Sequence, residues 1–163
     1  MDIAALFALG QRVGDKLAAR GETVAVAESS AGGLVSAALL AVPGASAFYL
    51  GGSVVYTPRA RHRLLGLRRE DVGGLKSATE PYVLLAAETV RHQFSATWGI
   101  AESGAAGPAG NPYGDAAGHS VCAVAGPVTR AATLATGSAE RFDNMIAFAA
   151  AALALLAGVM AES

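Results

Sequence analysis

The spacing of apolar positions changes several times along this chain, and each change marks an element. Ile3, Leu6, Phe7, Val13 and Leu17 recur close to helical spacing, so residues 3–19 are predicted to form a helix with one buried face. Residues 23–27 are a short apolar run that reads as a buried strand. It leads through Glu28, Ser29, Ser30, Ala31, Gly32 and Gly33 into a helix over residues 32–41. A turn follows at residues 42–46, where proline and glycine stand side by side. Residues 50–56 read as a second strand whose glycines allow close backbone contact. Thr57-Pro58 has the form of an N-cap followed by proline at the first helical position, starting a helix to about residue 65. Thr79-Glu80-Pro81 repeats that signature before a longer helix over residues 82–94. Residues 97–102 are the next strand, and a glycine-rich loop spans residues 103–115. Strands at 119–125 and 129–136 flank Gly126-Pro127 as a hairpin, and Ser138 is placed to cap the last helix. Helices alternating with strands, then a hairpin and a helix, predict a single-domain α/β fold over residues 1–163. The expected architecture is a three-layer α/β/α sandwich with a mixed central sheet.

Composition narrows the function classes. The chain has 163 residues, 53% hydrophobic and 15% charged, with a formal net charge of −1. That length suffices for one proper core. Acids and bases are scattered without a basic stripe, so a nucleic-acid partner has no electrostatic support. The single cysteine, Cys122, excludes an internal disulfide and lies mid-strand, where it reads as a small buried hydrophobe. The first residues lack the basic region and cleavage pattern of a signal peptide, which predicts a cytoplasmic protein. Residues 145–160 are almost wholly apolar, yet fall short of the roughly 20 residues of a membrane span. A helix apolar all round is expected in the core or at a contact between copies of the chain, not in a membrane.

Candidate chemistry gathers at strand ends. His62, His92 and His119 are far apart and none sits in a ligand-spaced motif, so no metal site is expected. Residues 104–110 do not match a dinucleotide fingerprint, and no phosphate-binding Gly-Lys-Ser/Thr is present. Three polar, glycine-bearing segments remain: residues 28–33, 56–61 and 103–107. In open α/β sheets ligands collect beyond the strand ends, so the three segments suggest one site. Each has a plainer reading: helix capping for Ser29 and Ser30, a strand-edge amphipath for Tyr56, a solvated helix face for Arg61.

Together these segments resemble the CinA C-terminal domain family, whose enzymes are nicotinamide-nucleotide amidases. The family's Ala-Glu-Ser-Cys-Thr-Gly-Gly stands here as Ala27-Glu28-Ser29-Ser30-Ala31-Gly32-Gly33. Its Gly-x-x-x-Tyr strand is Gly52-Ser53-Val54-Val55-Tyr56, and its Val-Ser-Glu-Pro is Ala78-Thr79-Glu80-Pro81. Its Ser/Thr-Gly-Ile-Ala-Gly-Pro is Ser103-Gly104-Ala105-Ala106-Gly107-Pro108. The resemblance spans nearly the whole chain. It implies deamidation of nicotinamide mononucleotide, a small-molecule pyridine mononucleotide, to nicotinate mononucleotide and ammonia without a cofactor. By position Ser29 becomes the nucleophile, Tyr56 its hydroxyl partner, and Arg61 stands where the family has its catalytic lysine. Glu28, Ser30, Gly32, Gly33, Ser103, Gly104 and Gly107 become substrate-binding residues. Backbone N–H groups near Gly32 and Gly33 or in the Gly104 loop become the donors for the tetrahedral intermediate.

The departures bear on activity. An arginine stays protonated at physiological pH, so Arg61 cannot take the serine proton, although its planar donors suit a phosphate. Glu28, Tyr56 and His62 are the nearby candidates for another base. Ser30-Ala31 replaces Cys-Thr, and Pro58 replaces an asparagine. Towards the C-terminus, Gly137-Ser138-Ala139 replaces the family's Gly-Asp-Arg, leaving Arg141 as a possible substitute cation. Two readings follow: an amidase with altered chemistry, or a small-ligand-binding or homo-oligomeric domain whose catalysis has lapsed.

Overall fold

A computed structural model describes residues 1–163. Helix α1 covers Ile3–Arg20, with Asp2 accepting the Ala5 N–H at 2.8 Å at its start and Gly21 closing it in the left-handed region. Strand β1 (Val24–Glu28) is buried throughout and is followed by the short helix α2 (Leu34–Leu40). Strand β2 is Tyr49–Val54, two residues shorter at its end than the apolar run suggests, so Tyr56 lies beyond the sheet. Thr57 caps the next helix by accepting the Ala60 N–H at 3.1 Å, with Pro58 in its first turn. That helix, α3 (Pro58–Ala60), widens into a π-turn over Arg61–Leu65 and ends at Gly66. A single turn, α4 (Arg69–Val72), precedes α5 (Glu80–Phe94). Strands β3 (Trp98–Gly104), β4 (His119–Ala125) and β5 (Arg130–Ala135) lead to α6 (Arg141–Met160). Ser138 does not cap α6: Glu140 holds the cap position without a side-chain bond, and the Ser138 hydroxyl accepts the Glu140 N–H.

The sheet order is β2-β1-β3-β4-β5, with β1 parallel to both neighbours and the β3-β4-β5 meander antiparallel. Alternation along the strands divides the core. Val24, Val26, Trp98, Ile100 and Val124 face α1, α2 and α6. Ala25, Ala27, Ala101, Val121 and Ala123 face α5 and the segment before it. Small residues on the second face let α5 lie close. At Gly99 an added Cβ would stand 2.1 Å from the Ala87 carbonyl oxygen and 2.7 Å from Arg91 Cβ. Gly99→Ala is therefore expected to push α5 off the sheet and cost about 1–3 kcal/mol, measurable by urea unfolding.

Helix α6 is long and apolar enough to cross a bilayer by length and composition, with a mean hydropathy of 1.8 over its most apolar window. In this fold it is a core helix. Ile146, Phe148, Leu153, Leu156 and Val159 are buried against α1, α2 and the sheet. The domain is a small mixed α/β unit with helices on both faces of five strands.

Candidate active site

The segment after β1 is built around a buried carboxylate. Gly32 and Gly33 adopt φ values of 68° and 97°, folding the chain tightly at the start of α2. Glu28, wholly buried at the end of β1, then reaches the open backbone donors of that helix. Its carboxylate accepts the N–H groups of Gly33 at 2.7 Å, Val35 at 3.1 Å and Ser36 at 2.9 Å, and the Ser36 hydroxyl at 2.8 Å. Capping by Ser29 or Ser30 is thus overturned, because Glu28 occupies that role. Glu28 is also withdrawn as a base beside Ser29, since both of its oxygens are held at α2. The Gly32 N–H donates to the Ser29 carbonyl at 3.0 Å and Gly33 to Glu28, so neither amide faces a ligand.

A second buried carboxylate lies beneath the serines. Glu102, near the end of β3, is 2% exposed and accepts the Ser29 N–H at 3.1 Å and the Ala31 N–H at 2.8 Å. Its other oxygen accepts the hydroxyls of Ser30 and, at 3.3 Å, Ser120. Burial pushes the Glu102 carboxyl up to about 7, with the Ser30, Ala31 and Ser29 hydrogen bonds pulling the other way and the nearby Glu28 adding to the rise. Sequence reasoning missed Glu102. Its one signal is a carboxylate at the end of an otherwise apolar strand.

Ser29, Tyr56, Arg61, Ser103 and Gly104 line one cleft of about 300 Å³, together with Tyr82 from α5. The Ser29 hydroxyl engages no protein atom, and no histidine or carboxylate lines this lobe. Arg61 is anchored by its Nε–H to the Leu67 carbonyl at 3.2 Å. It lies beside Tyr82, whose phenol is pushed up by burial while Arg61 pulls it down. Tyr56 is 59% exposed, and its hydroxyl accepts from Arg141 at 3.2 Å. The same guanidinium donates to the Gly107 carbonyl at 2.6 Å, so Arg141 does point into the site. His62 faces away. It borders a shallow hollow on the outside of α3 with Arg59, Arg63, Arg68 and Arg69, so the arginines are gathered in space more than their spread along the chain suggests.

A second lobe of about 210 Å³ opens beside the first and shares Tyr56, Gly104, Asn111 and Pro112 with it. Ser30, Ala106, Gly107 and Arg141 line it. Asn144 of α6 fixes its wall by donating to the Ala106 carbonyl at 2.8 Å. The N–H groups of Ala106 and Gly107 donate to no protein acceptor. The long loop that roofs both lobes is closed on itself by Asn111, which donates to Asp115 at 2.7 Å and accepts the N–H groups of Tyr113 and Asp115. Lys76 lies 5.9 Å from the Tyr113 ring centroid and ties the loop tip to the far rim. Cys122 takes no part: burial pushes its thiol up to about 12, so it stays protonated.

The model of the CinA C-terminal domain family matches residues 7–160. The chain belongs to that family. This CinA domain is 44% identical over 113 residues to a CinA-like protein of Prochlorococcus marinus (strain MIT 9313), which covers 69% of this chain and 26% of that protein. A CinA-like protein of Anaeromyxobacter sp. (strain Fw109-5) is 38% identical over 144 residues, 87% of this chain and 35% of that one. The CinA domain thus spans about a quarter to a third of the length of the curated relatives it matches. Among solved structures, a CinA superfamily protein from Klebsiella pneumoniae 700603 superposes with a TM-score of 0.90 at 28% identity, covering 97% of this chain and 99% of that one. A competence or damage-inducible protein from Enterobacter asburiae gives 0.86 at 33% identity, covering 94% and 98%. The sandwich of this CinA domain is therefore the fold of its family.

Proposed function

We propose that this CinA domain binds a pyridine mononucleotide in the two-lobed cleft and hydrolyses its carboxamide to a carboxylate and ammonia. The observation that carries the reading is the convergence of Ser29, Tyr56 and Arg61 on one cleft, with Arg141 reaching the Tyr56 hydroxyl from the adjoining lobe. Its volume lies at the lower end of small-molecule sites. The unengaged Ser29 hydroxyl suits attack on a carboxamide carbon, and the Ala106 and Gly107 N–H groups suit a developing oxyanion. Arg61 and Arg141 supply planar cations for a phosphate.

One observation favours a second reading, binding without turnover: the lobe around Ser29 holds arginine but no lysine, histidine or carboxylate. Ammonia release from nicotinamide mononucleotide separates the two. Turnover by the native domain supports the amidase. A silent native domain that binds the nucleotide by calorimetry, with activity gained in Arg61→Lys, supports the binding domain. Absence of both turnover and binding in the native protein refutes the pyridine-nucleotide reading altogether.

A further inference from the structure

We propose that Ser30, with Glu102 as its general base, is a nucleophile of this cleft acting on carbonyl groups that enter the lobe between Gly104, Gly107 and Arg141. The inference rests on the reading of the cleft as a carboxamide site, but it assigns the chemistry to residues that this reading does not use. Three observations carry it. Ser30 is the hydroxyl of the cleft that donates to a carboxylate, whereas the Ser29 hydroxyl has no partner. Ser30 lines the second lobe, while Glu102 lines neither lobe, is 2% exposed and accepts the Ser30 hydroxyl. The N–H groups of Ala106 and Gly107, which donate to no protein acceptor, belong to residues lining the same lobe.

The geometry around Glu102 separates binding from basicity. Oε2 accepts the Ser29 and Ala31 N–H groups and so fixes the carboxylate and the loop together. Oε1 accepts from the two hydroxyls, and of the two serines only Ser30 is among the residues lining the cleft. A base held in place by two backbone donors, with its other oxygen on a nucleophile, is the arrangement that activates a serine.

The reaction balances with water alone. The Ser30 Oγ bonds to the carbonyl carbon as its proton passes to Glu102 Oε1, and the carbonyl electron pair moves onto oxygen. Collapse of this intermediate breaks the C–N bond, and the Glu102 proton leaves with the nitrogen as ammonia. Water then attacks the Ser30 ester and gives a proton to Glu102. As the ester opens, the acid departs and the proton returns to Ser30 Oγ. Because Glu102 must be ionised to accept the first proton, the rate should rise with pH through about 7.

Labelling with phenylmethylsulfonyl fluoride tests the assignment without any nucleotide, so failure of the pyridine-nucleotide reading leaves it unaffected. Serine oxygen attacks the sulfonyl sulfur and fluoride leaves. Fragmentation of the labelled peptide should place the adduct on Ser30, with none in Ser30→Ala. The labelling rate should climb between pH 6 and 8 with a midpoint of about 7 and fall at least about 100-fold in Glu102→Gln. An adduct on Ser29 alone, or no adduct on native protein, overturns the proposal. So does a Glu102→Gln protein labelled at the native rate. Should that variant not fold, a flat pH profile for the native Ser30 adduct overturns the role of Glu102 as well.

Discussion

Replacing Glu28 by alanine is expected to lower the unfolding free energy by roughly 3–5 kcal/mol, because three buried or part-buried backbone donors would lose their only acceptor. The N–H groups of Gly33, Val35 and Ser36 all end on this one carboxylate, and the side chain is fully buried. Alanine leaves those donors facing a cavity. The carboxylate also faces the positive end of α2, a favourable interaction that is lost with it. In a domain of this size, such a loss lowers the melting temperature by about 10 °C or more. Glu28→Gln sharpens the test. Both carboxylate oxygens accept N–H donors here, so the amide nitrogen would point at a donor whichever way it is turned. The glutamine variant should therefore fall between native and alanine in thermal melts. A glutamine variant as stable as the native chain would show that the helix start finds another acceptor.

Glu28 also shows where sequence reading reached its limit. A strand ending in Glu-Ser-Ser-Ala-Gly-Gly before a helix is legible as a strand-turn-helix, and the turn is where it was expected. Which side chain caps the helix is not legible, because serine is the usual cap and a glutamate five residues upstream reaches it only if the chain folds back at Gly32 and Gly33. The layered α/β order was legible for a stronger reason: the apolar period follows the burial of each element directly. The strand ends were less so. Gly104 stays in β3 because it pairs with Ser120 of β4, and that partner is invisible in the local run of residues. The site divides in the same way. Ser29, Tyr56 and Arg61 were expected together and lie on one cleft. The direction of Arg141 depends on where α6 begins relative to β2, a long-range relation, so no local pattern carries it. Glu102 was read as one more strand residue. Its meaning comes from the loop folded over it, 71 to 73 positions away in the chain.

The stability of the domain is expected to carry the mark of Glu102 as a loss with rising pH. In the unfolded chain this carboxyl releases its proton near the ordinary value of 4.5, whereas burial in the native state holds the proton until about 7. Between those values the unfolded chain binds fewer protons than the native one, so unfolding becomes easier as pH increases. The contribution is constant below 4.5, where both states are protonated, and constant again above 7, where both are ionised. Integrated over the interval, the loss is about 3 kcal/mol at most. Asp71 and Glu162 act in the opposite sense, since hydrogen bonds from Arg68 and Arg130 hold their carboxyls below the usual range. The quantity to measure is therefore the difference between native protein and Glu102→Gln, by urea unfolding from pH 4 to 8. Glutamine fits the site well: its oxygen can take the Ser29 and Ala31 N–H groups while its amide nitrogen donates to the Ser30 and Ser120 hydroxyls. Native stability relative to this variant should fall from pH 4.5 to 7 and then level. A difference that stays flat would mean that the four donors around the carboxylate offset its burial in full. In that case Glu102 is ionised well below neutrality, and Ser30 labelling should be flat from pH 6 to 8, the outcome that overturns the role of Glu102 there.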